Sequence, residues 1–266
     1  MRLSRPASGL LAAITAVVLA LIYLPLLVVF VNSFSTSQNL VWPPPGFTLE
    51  WWAKAFQSDG ALDAVLTSLQ VALASTAVAL VLGTLISLGL QRFEFFGRDA
   101  ISLLVILPIA LPGIVTGIAL NNAFRTGLGV QLSILTLIIA HATFCIVTVF
   151  NNVIARLRRL GTSLEDASSD LGAGIWTTFR LVTFPQLRSA LFAGGLLAFA
   201  LSFDEIIVTT FTAGSTVKTL PLWILDNLFR PNQAPVVNVI AVVLVLVSII
   251  PIYFAQRIAG AEKVVR

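Results

Sequence analysis

Six uninterrupted apolar runs constrain this chain more than any other feature. They fall near residues 10–31, 64–90, 101–120, 132–150, 190–211 and 236–254. A bilayer core of about 30 Å needs roughly 20 helical residues, and the runs match that length. The chain has 266 residues, 58% hydrophobic and 11% charged, whereas soluble domains carry about 25% charged residues. It is read as an integral membrane protein. Closed barrels would need alternating segments of about ten residues, which continuous Leu, Val, Ala and Ile runs are not. The predicted fold class is therefore all-α, a polytopic membrane protein with six transmembrane helices in a single domain over 1–266.

Arg2 and Arg5 precede the first run, as in a secretory signal, but a signal h-region is usually about 7 to 15 residues and this run is longer. No small-residue cleavage site follows cleanly, so the run is expected to stay as a transmembrane helix. Cys145 stands alone in the fourth run. An intrachain disulfide is excluded, and the redox compartment stays open.

Six spans place both termini on one side. The face with the termini holds Arg2, Arg5, Arg92, Arg98, Arg156, Arg158, Arg159, Arg180, Arg188, Arg257, Lys263 and Arg266, and the other holds Lys54, Arg125, Lys218 and Arg230. Lys/Arg asymmetry of that kind marks the cytoplasmic side. It also explains the net charge of +4 without nucleic-acid binding, for which no interleaving of aromatic and basic residues speaks.

Two interruptions stand out. In the third run, Pro108 and Pro112 lie one helical turn apart, followed by Gly113, and should kink or unwind the helix. The freed carbonyls would be costly against lipid, so the break is expected to face the bundle interior. Gly113 and Gly117 form a small-xxx-small pair that permits close helix approach or plain packing. Asp204 and Glu205 interrupt the fifth run. Intramembrane acids suggest function by default; a paired anionic site for a cationic solute and a structural pair both stay open.

The loop after the first run carries Trp42, Trp51 and Trp52 around a Pro-rich turn. Interfacial anchoring is the favoured reading, with docking of an extracytoplasmic partner as the other. His141 lies in the fourth run with no acid three or four residues away, so a packed neutral imidazole is favoured over a proton relay. With Cys145 it makes only a pair, short of a metal site.

Between the fourth and fifth runs lies a polar segment. Thr162 or Ser163 can cap a short helix whose first turn holds Glu165 and Asp166. Ala167, Ser168, Leu171 and Ile175 follow at spacings of three and four, which predicts one small, apolar face. Asp166-Ala167-Ser168, three residues, Gly172, nine residues and Val182-Thr183-Phe184-Pro185 follow in order. This spacing resembles the signature loop of ABC importer permeases, Glu-Ala-Ala, Gly, Ile-x-Leu-Pro, with both gaps intact and conservative replacements at four positions. The strings 108–117, 201–211 and 219–224 resemble the spermidine/putrescine branch, and the resemblance covers nearly the whole chain.

The resemblance implies a type I ABC importer permease (MetI-like) fold, with a core transmembrane region over 64–255 and a cytoplasmic coupling loop over 151–189. It implies that Glu165, Asp166, Ala167, Ser168, Gly172 and Pro185 couple to an ATPase. Asp166 would pair with a basic partner residue, Gly172 would allow close approach, and Pro185 would end the segment before the fifth span. The implied partners are two ATP-binding subunits, a second permease chain and an extracytoplasmic substrate-binding protein, in a bacterial inner membrane. No cofactor is expected on this chain, which has no Gly-rich Lys-Ser/Thr phosphate motif; ATP and Mg belong to the partner subunits. Polyamine uptake is the leading function, and ferric iron or amino acids fit the same architecture. An ion-coupled secondary transporter, with Asp204 and Glu205 binding ions, is the rival. Enzymatic activity is not expected, since no nucleophile and base pairing or metal-ligand set lies within the spans.

Overall fold

Long apolar segments leave the backbone one economical choice in lipid, to satisfy every N–H and C=O within its own helix. The computed structural model describes residues 5–39, 41–228, 230 and 233–261, with side chains over 7–39, 41–228, 230 and 233–247. In chain order the helices are α1 (Arg5–Asn32), α2 (Glu50–Phe56), α3 (Asp59–Arg92), α4 (Arg98–Ala110), α5 (Gly113–Asn122), α6 (Ile134–Leu160), α7 (Ser163–Asp170), α8 (Ile175–Thr178), α9 (Phe184–Phe203), α10 (Ile207–Thr212), α11 (Leu220–Leu228) and α12 (Ala234–Ala261). Short π-helical turns occupy Ala123–Gly127 and Phe179–Thr183.

Among the described residues, four single helical stretches are long and apolar enough to cross a bilayer, at 7–32, 59–92, 134–160 and 175–203; the bent pair α4 and α5 makes a fifth if it counts as one span. The predicted sixth span starts in α12, but its end, 248–254, lies outside the described side chains. An all-helical membrane fold is thus established, and the number six is not.

The chain divides into two units. One comprises 1–62 and 224–264. Its α1 exposes leucines around its circumference, including Leu10, Leu21 and Leu27, a surface suited to lipid and not to water. The loop beyond α1 is held by Trp51, whose Nε1–H donates to the Ser35 carbonyl at 2.8 Å, and by Trp52, stacked on Phe34 with centroids 5.2 Å apart. Trp51 is buried while Trp42 is exposed. The expected row of interfacial tryptophans is therefore split, with Trp51 packed inside to fix the loop.

The other unit spans 63–223 and centres on α6. Leu187 and Ala198 of α9 pack with Cys145, Val149 and Val153 of α6. Water does not drive helices together inside a membrane, so packing and interhelical hydrogen bonds must. Here Ser75 donates to the Ile138 carbonyl at 3.0 Å, Asn121 to that of Phe211 at 2.6 Å and Cys145 to that of Ala198 at 3.3 Å. Each such bond contributes about 0.6 kcal/mol.

The proline pair breaks its helix as expected, bending the chain by 107° between α4 and α5. Leu111 turns extended, with ψ 146°, and Pro112 lends its carbonyl to the N–H groups of Val115 and Thr116 at 2.9 and 3.1 Å. The expected inward orientation does not hold within this chain, because Leu111 and Pro112 are exposed and only the Gly113 side of the break rests on α10.

Candidate functional site

The polar segment folds as two short helices. Glu165 and Asp166 sit in the first turn of α7, where carboxylates meet the unpaired N–H end of a helix. The anticipated side-chain cap is not made: Thr162 holds the cap position without a side-chain bond, and Ser163 is already helical. The Thr162 carbonyl instead accepts the N–H groups of Glu165 and Asp166, both at 2.9 Å.

The predicted continuous face through Ile175 is also interrupted, since α7 ends at Asp170. Gly172 takes φ +81°, its N–H reaches the Ser169 carbonyl at 2.9 Å, and the Ala173 N–H reaches that of Ser168 at 3.1 Å. This is a Schellman stop, which favours glycine for its left-handed backbone. Among the described residues nothing lies within 4 Å of the position of an added Cβ there. Gly172 is thus required by the turn, whatever it later allows to approach.

The segment has two sides. Facing its own bundle, one carboxylate oxygen of Glu165 accepts from the Arg92 guanidinium at the end of α3 and from the Thr183 hydroxyl at 2.6 Å. Ser168 bonds Thr178 at 3.0 Å, tying α7 to α8. Facing away are Asp166 and Ala167, with Leu171 89% and Ile175 94% exposed, and Trp176 beyond them. Glu165, grouped by sequence with the outward residues, is turned inward. Arg92, which the sequence places only among the basic residues on the face with the termini, is its anchor.

Pro185 does not end the segment before the next span. From Ile175 to Phe203 the chain stays helical, and the π turn at Phe179–Thr183 leads straight into Pro185 in the first turn of α9. Proline lacks an N–H and crowds the preceding turn; a π turn is one way for a helix to absorb such a mismatch.

The acids at 204 and 205 lie in a real break between α9 and α10. Asp204 is the exposed C-terminal cap of α9. Glu205 is half-buried and accepts the Val208 N–H at 2.8 Å, holding the start of α10. The two carboxylates therefore have different surroundings, one open and one bound to backbone.

Buried His141 on α6 spans this break, bonding Ser202 of α9 at 2.8 Å through Nδ1 and Thr209 of α10 at 2.9 Å through Nε2. Thr209 already donates its proton to the Glu205 carbonyl at 2.8 Å, so it accepts from Nε2–H. In the neutral ring, Nδ1 then accepts from Ser202. The packed imidazole expected from sequence is a brace across the gap. His141→Ala strands the Ser202 hydroxyl and opens a void. A loss of about 1–3 kcal/mol is expected from the orphaned polar group, read as a lower melting temperature of the purified chain in detergent. A parental melting temperature would show that the brace bears no strain.

On the other side of α10 lies α5. Gly113 sits against Ile207, and Gly117 against the Phe211 ring and Cβ. The small-xxx-small pair is thus a helix crossing, reinforced by the bond from Asn121 to the Phe211 carbonyl.

The unit is thus a broken bundle that carries an exposed short helix between two of its long helices. Residues 79–261 match the family of binding-protein-dependent transport system inner membrane components, and the chain belongs to that family. It is 33% identical over 241 residues to the spermidine/putrescine transport system permease protein PotC of Escherichia coli K12, covering 90% of both chains. It is 32% identical over 250 residues to the putrescine transport system permease protein PotI of the same strain, covering 91% of this chain and 88% of that one. A crystal structure of a bacterial ABC transporter involved in importing the acidic polysaccharide alginate shares the fold, with TM-score 0.73, 16% identity and coverage of 97% and 99%.

Proposed function

We propose that this chain is the permease subunit of an ATP-driven importer for polyamines, spermidine or putrescine, acting as a single transmembrane domain in a bacterial inner membrane with both termini cytoplasmic. The observation that carries the coupling role is the outward side of α7 and α8. Asp166, Leu171 and Ile175 are exposed together on an element clamped from behind by Arg92 and Thr183. The other reading of the loop is a helix lying on the membrane surface, held by Trp176, Phe179, Arg180 and Arg188. Such a helix is characteristically rich in basic residues on its polar face. Ser163–Asp170 has none and carries Glu165, Asp166 and Asp170. Such an element suits a protein cleft with a basic rim.

The cleft belongs to an ATP-binding subunit, which supplies ATP and Mg chemistry; this chain hydrolyses nothing. Two copies of that subunit, a second permease chain and an extracytoplasmic binding protein complete the assembly. Closure of the ATP-bound pair pushes α7 and α8, and the Glu165–Arg92 contact passes the push to the end of α3. Asp204, exposed at the break, presents negative charge to a cationic solute. Glu205 holds the shape of the gap. The curated relatives named for spermidine and putrescine support this solute class.

Uptake by the reconstituted assembly in proteoliposomes, with labelled putrescine competed by spermidine, amino acids or ferric iron, tests the reading. Competition by spermidine alone is expected, and Asp204→Asn should lower uptake about tenfold, the loss of one charge contact of roughly 1.4 kcal/mol. Competition by amino acids or iron would reassign the solute, and uptake by this chain without any ATPase would overturn the importer.

A further inference from the structure

At the arginine-rich end of the unit spanning 63–223, a cavity of about 200 Å³ lies between the end of α3, the start of α4 and the last turns of α6. Leu90, Phe150 and Ile154 back it, but they are almost wholly buried, so its accessible lining is mostly polar. Its rim carries Arg98, Arg158, Asp99 and Ser102. Neither guanidinium has a carboxylate partner among the described residues, although Asp99 lines the same cavity. The coupling segment does not use these arginines, since Arg92 anchors Glu165.

We propose that this cavity holds the phosphodiester of an anionic phospholipid from the adjacent leaflet. Two arginines and one aspartate leave one net positive charge, which matches the single charge of a phosphodiester better than the higher charge of inorganic phosphate or ATP. Guanidinium forks bind phosphate oxygens in pairs, and the first N–H groups of α4 add a favourable dipole. A free anion gains only the polar rim, whereas a lipid held there also lays its acyl chains on apolar surface next to the cavity. The chains then have a path: α4 buries no residue and exposes Leu103, Leu104 and Leu107 along its length. Phe93, Phe95 and Phe96 are exposed in the connection just before α4, as expected of aromatic side chains resting at an interface. Basic pockets between membrane helices are established headgroup sites in general.

The test uses the full chain in nanodiscs of phosphatidylcholine containing phosphatidylglycerol, with bound lipid counted by native mass spectrometry after release. Phosphatidylglycerol should be retained in preference to phosphatidylcholine. Arg98→Gln with Arg158→Gln should weaken that retention roughly thirtyfold, from about one kcal/mol per arginine. Asp99→Asn should strengthen it, a gain that misfolding cannot mimic. Arg159→Gln, outside the cavity, should leave it unchanged. Equal retention by the double variant and the parent overturns the site. So does an equal loss with Arg159→Gln, which would mark diffuse surface charge, or displacement of the lipid by inorganic phosphate, which would mark a soluble anion as the ligand.

Discussion

Asp166→Lys is expected to abolish ATP-driven uptake while the chain still inserts at parental abundance. The carboxylate is exposed, with no ion-pair partner among the described residues, so the fold loses little beyond about 0.3–1 kcal/mol from a cation at a helix N-terminus. On the proposed docking, the same change would set lysine against a basic residue of the cleft. Losing one partner of a desolvated charge pair costs about 2–5 kcal/mol or more, enough to separate the subunits at working concentrations. Glu165→Gln should behave differently. It removes a charge held inside the chain, so the ATPase should still copurify while the ratio of solute moved to ATP hydrolysed falls. Copurification and uptake, measured together for both variants, distinguish docking from transmission. Full uptake by Asp166→Lys would remove α7 from the coupling role.

The second large effect is expected at the crossing of α5 and α10. A Cβ on Gly117 would lie 2.7 Å from Cδ2 of Phe211 and 3.2 Å from its Cβ. The ring can swing, but the Cβ moves only with the backbone of α10. That helix is held on its far side by His141 and at its start by Glu205. Gly117→Val therefore forces the two helices apart, strains the Asn121 bond to Phe211 and should cost about 1–3 kcal/mol through overpacking. Gly113→Ala is the control, because its Cβ would meet Ile207 at 3.7 Å, an ordinary contact. Thermal melting should show a clear drop for Gly117→Val and almost none for Gly113→Ala. Equal melting of both variants would mean that α10 yields freely.

What sequence could reveal here follows from the range of each interaction. Lipid demands contiguous apolar runs, so the long helices are plain in composition. Proline acts on its own turn, so the break at 108–112 is plain as well. The Gly172 stop is local too, yet its spacing alone cannot say whether glycine serves a left-handed backbone or a close approach. Long-range pairings leave no such trace. Arg92 and Glu165 lie 73 residues apart, and opposite charge alone does not select that pair among 16 basic and 12 acidic residues. His141 meets Ser202 and Thr209 across 61 and 68 residues, and an isolated histidine in an apolar run carries no sign of neutral hydroxyl partners. Pro185 misleads because proline usually ends helices, whereas here the π turn before it takes up the misfit.

The docking of the coupling segment is tested most directly by a photoreactive maleimide on Leu171→Cys in the intact assembly. Leu171 is 89% exposed, and the native Cys145 is buried and will not compete for the reagent. The expected result is a cross-link to the ATP-binding subunit that disappears when Asp166→Lys is added. Label recovered only in phospholipid, with the ATPase present and unmodified, would contradict it.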